Sequence, residues 1–407
     1  MPALLFRCIF FSHFPRRRLS AAASQLEAID LVALDSTSAS QGFKDCDTVT
    51  GDLKQRSLAV LSLLKSERDP SRILTLCLSA ALSPDHHLGR AALSVAVVSL
   101  SSSSDHPLST RSLLNPLIHS DHHLPHAIAL LGLAGLLDDA LAAFRSSPSL
   151  RSLNALLYAC ILSNNHDLAG QFFRDFPVSY RINPNILSYN TVIKAFCGSS
   201  SSSTFYSYLD EMVRKKIKPN LTTFSIALAG FYREKRIDDV KKVLWLMKKH
   251  GRHAGLSIYN VRVRSLCKLQ RLDDAMELLR EMKAKGMNPN WVTYDHLILG
   301  QCCVGNLVEA KRLLKEMGRR GLVPQASCYF SLVHYLCKAG DFGSALEVCK
   351  ESMERNWFPR FSTMKMLVDG LVGASQVEGA REIVDKVKGK FSRNAELWEK
   401  IKENLPV

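Results

Sequence analysis

The chain lacks the signatures of the common catalytic and cofactor chemistries. No GxGxxG, P-loop or GxSxG motif occurs in its 407 residues. A glycine-rich phosphate cradle and a serine nucleophile elbow are therefore unsupported. No Ser/His/Asp set is visible, so the sequence points to no enzyme and to no cofactor. Eleven cysteines are present without a single CxxC pair, which leaves zinc unsupported. Long apolar runs are also missing. The longest, Ala127–Leu137, falls well short of the roughly 20 residues that span a bilayer, and no membrane insertion is expected. Acids are missing from the start of the chain, where the first is Glu27. The stretch before it carries Arg7, Arg16, Arg17 and Arg18 among Ser, Ala and Phe, a transit-peptide composition. Arg clustered just before Leu19-Ser20 favours mitochondrion over chloroplast. Arg7 interrupts Ala3–Phe11 and argues against a secretory signal. Residues 1–26 are thus expected as a leader and 27–52, rich in Ser, Thr and Asp, as a flexible linker.

What is present is a period. Ile186–Asn220, Leu221–Gly255, Leu256–Asn290 and Trp291–Gln325 follow one another without gaps, each 35 residues long. Their fourth residue is aromatic (Tyr189, Phe224, Tyr259, Tyr294) and their twenty-seventh is Met (Met212, Met247, Met282, Met317). In Leu256–Asn290, Tyr259, Val263, Leu266 and Cys267 recur at helical spacing. A short polar turn follows over 269–272. Ala275, Leu278, Leu279 and Met282 then form a second apolar stripe. Gly286 suits a left-handed C-terminal cap, and Pro289 cannot continue a helix. Ala275, Ala310 and Ala345 share a column where a small side chain lets two helices approach. The unit is helix, turn, helix, loop, and one such pair cannot bury its apolar face alone. The period predicts an all-α right-handed superhelical solenoid of stacked units.

The array extends to 326–360 and to 361–394, where the pattern fades as in a terminal cap, leaving 395–407 as a tail. Upstream, 150–185 fits with one extra residue, and 125–149 contains a degenerate unit. Residues 53–124 read as helices without the repeat. The run Ser199–Ser203 replaces the turn inside one unit and should loosen it, because Ser favours turns over helices.

Cys267, Cys302 and Cys337 stand 35 residues apart, so their spacing is the repeat itself. Packed helices sit about 9–10 Å apart, whereas disulfides need Cα atoms within about 7 Å. These thiols read as small buried hydrophobes. His119, His122, His123 and His126 include two i, i+4 pairs, but Pro125 interrupts the helix and no Glu or Cys completes a metal site. A solvated loop is the simpler reading.

The columns resemble those of the pentatricopeptide repeat. Tyr259-Asn260, Leu266-Cys267-Lys268, Arg271-Leu272-Asp273-Asp274-Ala275, Glu281-Met282 and Gly286 to Pro289-Asn290 carry the likeness, which spans about 125–394. Units near 35 residues resemble the pure P class. No His/Cys deaminase signature or acidic nuclease cluster follows them. The segment from Ser57-Leu58 to Asp69-Pro70 is similar to a small plant mitochondrial subgroup associated with mitochondrial ribosomes.

This resemblance implies single-stranded RNA read at one base per unit. The fifth and last residues of a unit would face the base edge: Asn154/Asn185, Asn190/Asn220, Ser225/Gly255, Asn260/Asn290, Asp295/Gln325 and Phe330/Arg360. The Asn/Asn pairs resemble a pyrimidine-selecting combination. Ser225/Gly255 has lost one side chain, and the last two pairs match no trusted combination. Second residues would wedge between bases, yet only Leu187 and Val292 are aliphatic. Lys268 and Lys338 would contact phosphates, and so could Lys215, Lys216, Lys241, Lys242, Lys248, Lys249, Arg319 and Arg320, mostly on second helices, although those more simply form a solvated face. A net charge of +15 suits a polyanion, the bland alternative being a generally basic organellar protein. Two functions remain. One is a sequence-tolerant organellar RNA-binding protein in RNA processing, stability or translation. The other is a mitoribosome-associated scaffold touching rRNA or ribosomal proteins.

Overall fold

The computed structural model describes residues 70–81, 90–101, 106–388 and 395–403, with single positions at 61, 63, 64, 67, 69 and 405. The expected leader and linker lie outside the described residues. Twenty α-helices and no strand occur among those described. The chain forms two compact units, Met1–Ala227 and Leu228–Val407, divided within the helix Leu221–Arg233.

In the first unit, helices Pro70–Ala81, Arg90–Leu100 and His106–Ile118 precede the repeats. Three hairpins follow: Leu124–Leu133 with Leu137–Ser146, Leu150–Leu162 with His166–Ser179, and Ile186–Gly198 with Thr204–Arg214. Pro125 sits in the first turn of its helix, where its missing N–H has no intrahelical partner to lose. Among the described residues no His/Cys/Asp/Glu group could hold a metal ion. A Cβ added at Gly132 would lie 2.4 Å from the Ala159 Cα, so these two first helices meet backbone to backbone. Beyond them Phe173 stands edge-on to Tyr189 at 4.9 Å and to Tyr208 at 5.6 Å. The serine run forms the turn 199–203, and its second helix begins at Thr204. By the register of Leu272 in 256–290 it would begin at Ser202.

The second unit repeats one hairpin. Ile237–Lys249 opens it, followed by Leu256–Lys268 with Leu272–Ala284 and Trp291–Cys303 with Leu307–Arg319. Ala326–Lys338 with Phe342–Glu354 and Phe361–Gly373 with Val377–Lys388 complete the series. Each first helix packs on the next first helix, and each second helix leans on the first helix of the following hairpin. Ala275, Ala310, Ala345 and Ala380 are fully buried where the two helices of a hairpin approach. The column cysteines Cys267, Cys302 and Cys337 are buried and free. Burial pushes their thiols up to about 12, so they remain protonated packing groups. The segment expected as a tail contains one more helix, Ala395–Glu403. It buries Trp398 completely, 5.1 Å from the Phe361 ring.

Within a hairpin, a tyrosine staples the two helices. Tyr259 donates to Glu281 at 2.6 Å, Tyr294 to Glu316 at 2.9 Å and Tyr329 to Glu351 at 2.7 Å. Tyr189 and Glu211 repeat this in the first unit at 2.8 Å. Between hairpins of the second unit, Lys283 reaches Glu316 at 2.7 Å.

Candidate nucleic-acid interface

The last residue of a unit is physically the N-cap of the next first helix. A cap oxygen accepts backbone N–H groups that the helix leaves without partners. Asn185 accepts from the N–H of Leu187 and Ser188. Asn220 accepts from Thr223, and Asn290 from Thr293. The third residue of each of these helices closes the box with its hydroxyl. That hydroxyl also reaches back to the fifth residue of the preceding unit. Ser188 donates to Asn154 at 2.6 Å, Thr223 to Asn190 at 2.7 Å and Thr293 to Asn260 at 2.7 Å. The two asparagines of a pair then meet: Asn190 Nδ2 lies 3.4 Å from Asn220 Oδ1, and Asn260 Nδ2 lies 3.2 Å from Asn290 Oδ1. The Ser and Thr that organise these pairs were not read as functional from the sequence. Their signal is the S/T three residues after the cap Asn.

This geometry fixes which end of each amide faces outward. A backbone N–H can only donate, so the atom facing the helix N-terminus is the oxygen. The acceptors of Asn260 and Asn290 are consumed by Thr293. What remains for a ligand is amide N–H. Asn154 and Asn190 are only 4% and 6% exposed, whereas Asn260 is half-buried. The remaining expected pairs are not built this way. Gly255 caps its helix without a side chain, and Ile258 stands where the hydroxyl would be. Ser225 is half-buried. Asp295 accepts from Ser327 at 2.7 Å and from Cys328 at 3.2 Å, while Gln325 donates to the Val323 carbonyl. Leu187 and Val292 are half-buried at their helix starts.

Asn260, Arg264 and Lys268 are four residues apart on one helix and therefore share a stripe. Lys268 is exposed. Its pKa is lowered by partial burial and by the charges of Arg264 and Arg233. On the next first helix His296 is held below its ordinary value, chiefly by burial and then by Arg264, with Asp295 opposing and Lys268 adding to the effect. Basic side chains of three successive first helices (Arg233, Arg264, Lys268 and His296) thus act on one another's charge. Lys338 is exposed and lies over the Tyr335 ring at 5.7 Å. Its charge and that of Arg360 depress His334, after burial. The ninth residue of a unit (Lys194, Arg264, His334) was missed from sequence, although it lies one turn from both the fifth and the thirteenth.

Comparison with known proteins agrees with this architecture. Models of the pentatricopeptide repeat family match 184–233 and 254–303, those of the repeat itself match 222–252 and 292–322, and the repeat domain matches 147–199. A mitochondrial pentatricopeptide repeat-containing protein of Arabidopsis thaliana is 41% identical over 174 residues, 40% of this chain and 43% of that one. The Arabidopsis small ribosomal subunit proteins mS79 and mS78 are 32% identical over 106 residues and 38% over 94. Those matches cover 25% and 22% of this chain, and 27% and 24% of theirs. The chain therefore spans less than half the length of these relatives. Among solved structures, the maize repeat protein PPR10 superimposes with a TM-score of 0.41 at 19% identity, over 94% of this chain and 58% of that one. That likeness is too loose to add to the fold evidence. The chain carries pentatricopeptide repeats over the matched segments between residues 147 and 322.

Proposed function

We propose that the chain is a single-stranded RNA-binding protein of the mitochondrion, acting in RNA processing, stability or translation by binding rather than catalysis. The observation that carries this is the stripe Asn260–Arg264–Lys268 with His296 beside it. Burial and the charges of Arg264 and Arg233 disfavour the charged form of Lys268, and a phosphate beside them relieves that cost. An edge of amide N–H groups meets the acceptor oxygens of uracil or cytosine. Asn190/Asn220 and Asn154/Asn185 extend the pyrimidine preference in the first unit. Ser225/Gly255 and Asp295/Gln325 contribute little to reading. Leu187 and Val292 wedge bases, and Lys338 adds a phosphate contact. Affinity therefore comes mostly from the RNA backbone, and selectivity is low. The test is fluorescence anisotropy with oligouridine. Submicromolar binding that weakens steeply with salt is expected, and no salt-dependent binding at such concentrations contradicts the reading.

A second reading is favoured by the likeness to two proteins named as small ribosomal subunit components. In it the repeats serve as a scaffold on mitoribosomal RNA or proteins. Sedimentation of tagged chain with the small subunit, persisting after RNase digestion of polysomes, supports this reading. Release into the light fractions returns the chain to messenger RNA.

A further inference from the structure

The 33 residues from Val240 to Leu272 contain no Asp or Glu and nine Lys or Arg. Four of these, Lys241, Lys242, Lys248 and Lys249, lie on the helix Ile237–Lys249. Its acids, Asp238 and Asp239, sit in the first turn and hold Lys241 at 3.3 Å and Arg236 at 2.7 Å. The charged residues in the second half of the helix, Lys248 and Lys249, are both cationic. The reason is visible in the repeat. Where other units place the staple acid (Glu211, Glu281, Glu316, Glu351), this one has Leu246, and its fourth residue is Phe224, which has no hydroxyl to staple.

Trp245 stands in the middle of this helix and is 59% exposed, while Val240, Val243 and Met247 are buried. The same column in neighbouring units holds Asp210, Arg280, Lys315 and Lys350. Lys249 lies 5.3 Å from the indole centroid. An exposed Trp in a column otherwise charged is a free stacking surface bracketed by cations. Protein partners engage a Trp within a contiguous apolar core. Here the aromatic is isolated, since the other apolar side chains of the helix are buried or half-buried. A flat base flanked by phosphates fits it better.

We propose that this second-helix face is a further RNA-binding surface, separate from the first-helix stripe. An unpaired base of a folded RNA stacks on Trp245, and Lys248 and Lys249 contact the adjoining phosphates. The proposal rests on the RNA-binding reading and extends it from one strand to two contacts, so that the chain bridges a single strand and a structured element.

The test uses the full chain and three probes, oligouridine, an RNA hairpin with an unpaired loop and polyglutamate, at one salt concentration. Trp245→Ala is expected to weaken the hairpin about fivefold or more and to leave oligouridine unchanged. Lys248→Glu with Lys249→Glu should do the same, whereas Arg264→Glu with Lys268→Glu should weaken oligouridine most. Trp245 is exposed, and unchanged circular dichroism and melting confirm that the variants fold. Hairpin affinity insensitive to Trp245 overturns the proposal but leaves the first-helix reading standing. So does loss of polyglutamate binding on Trp245→Ala with hairpin binding intact, which marks a protein site. A wild-type chain that binds neither RNA overturns both.

Discussion

Tyr294 and Glu316 are 22 residues apart and joined at 2.9 Å, with Lys283 and Arg320 also on the carboxylate. Burial raises the Glu316 pKa, but hydrogen bonds from Lys283, Tyr294 and Arg320 outweigh it and hold the group at about 2. The folded state thus binds fewer protons than the unfolded chain. The resulting stability is present above the unfolded value of 4.5 and lost as pH falls toward 2. Glu316→Gln is expected to flatten the acid limb of a urea-denaturation series in that window, and Tyr294→Phe to cost about 1 kcal/mol at neutral pH. At Thr293 one hydroxyl donates to Asn260 and accepts from the Asn290 backbone N–H. Thr293→Val should cost about 1–2 kcal/mol in the same assay and release the amide orientation of the pair. The asparagines themselves were legible in the sequence because the repeat puts them in fixed columns. Their outward-facing donors were not, because the acceptors are consumed by a residue of the following unit, 33 positions away from Asn260.

The hairpins from 150–185 to 326–360 are each closed by two left-handed residues, one at the end of each helix. The second is the column of Gly251, Gly286 and Gly321, with φ of 69°, 69° and 70°. Glycine announced it in the sequence. The first is the column of Lys235, Gln270, Gly305 and Gly340, with φ of 60°, 60°, 82° and 78°. Asn164, Ser200 and Ser375 share it with φ of 62°, 60° and 59°, so most of the column is not glycine and the turn was read only as polar. A side chain in this region costs about 1 kcal/mol relative to glycine. Gln270→Gly is expected to stabilise the chain by roughly 0.5–1 kcal/mol, read as a higher urea midpoint with unchanged slope. A lower midpoint contradicts the backbone account. The helix Ala395–Glu403 was missed for a different reason. Its anchor, Trp398, packs on Phe361, and neither residue belongs to a repeat column that would pair them.

Across the whole molecule, the period fixes the helices and the net charge of +15 suits a polyanion, but neither shows where the cations converge. Lys268 was expected as a phosphate contact from its column, but Arg264 was an ordinary basic residue until the stacking of successive first helices put its charge on Lys268 and His296. The scaffold columns are kept through most of the array, whereas the hydroxyl–Asn–Asn linkage closes around Asn190 and Asn260, and Asn154 has the hydroxyl bond from Ser188. RNA affinity should accordingly respond strongly to salt and weakly to sequence, with oligouridine and oligocytidine binding within a few-fold of one another. The most direct measurement is the salt dependence of oligouridine affinity in wild-type chain and in Arg264→Glu with Lys268→Glu. The account predicts at least about tenfold weaker binding and a log–log salt slope shallower by about 1.4, the loss of two phosphate contacts on a single strand. Equal slopes and equal affinities in the two chains contradict it.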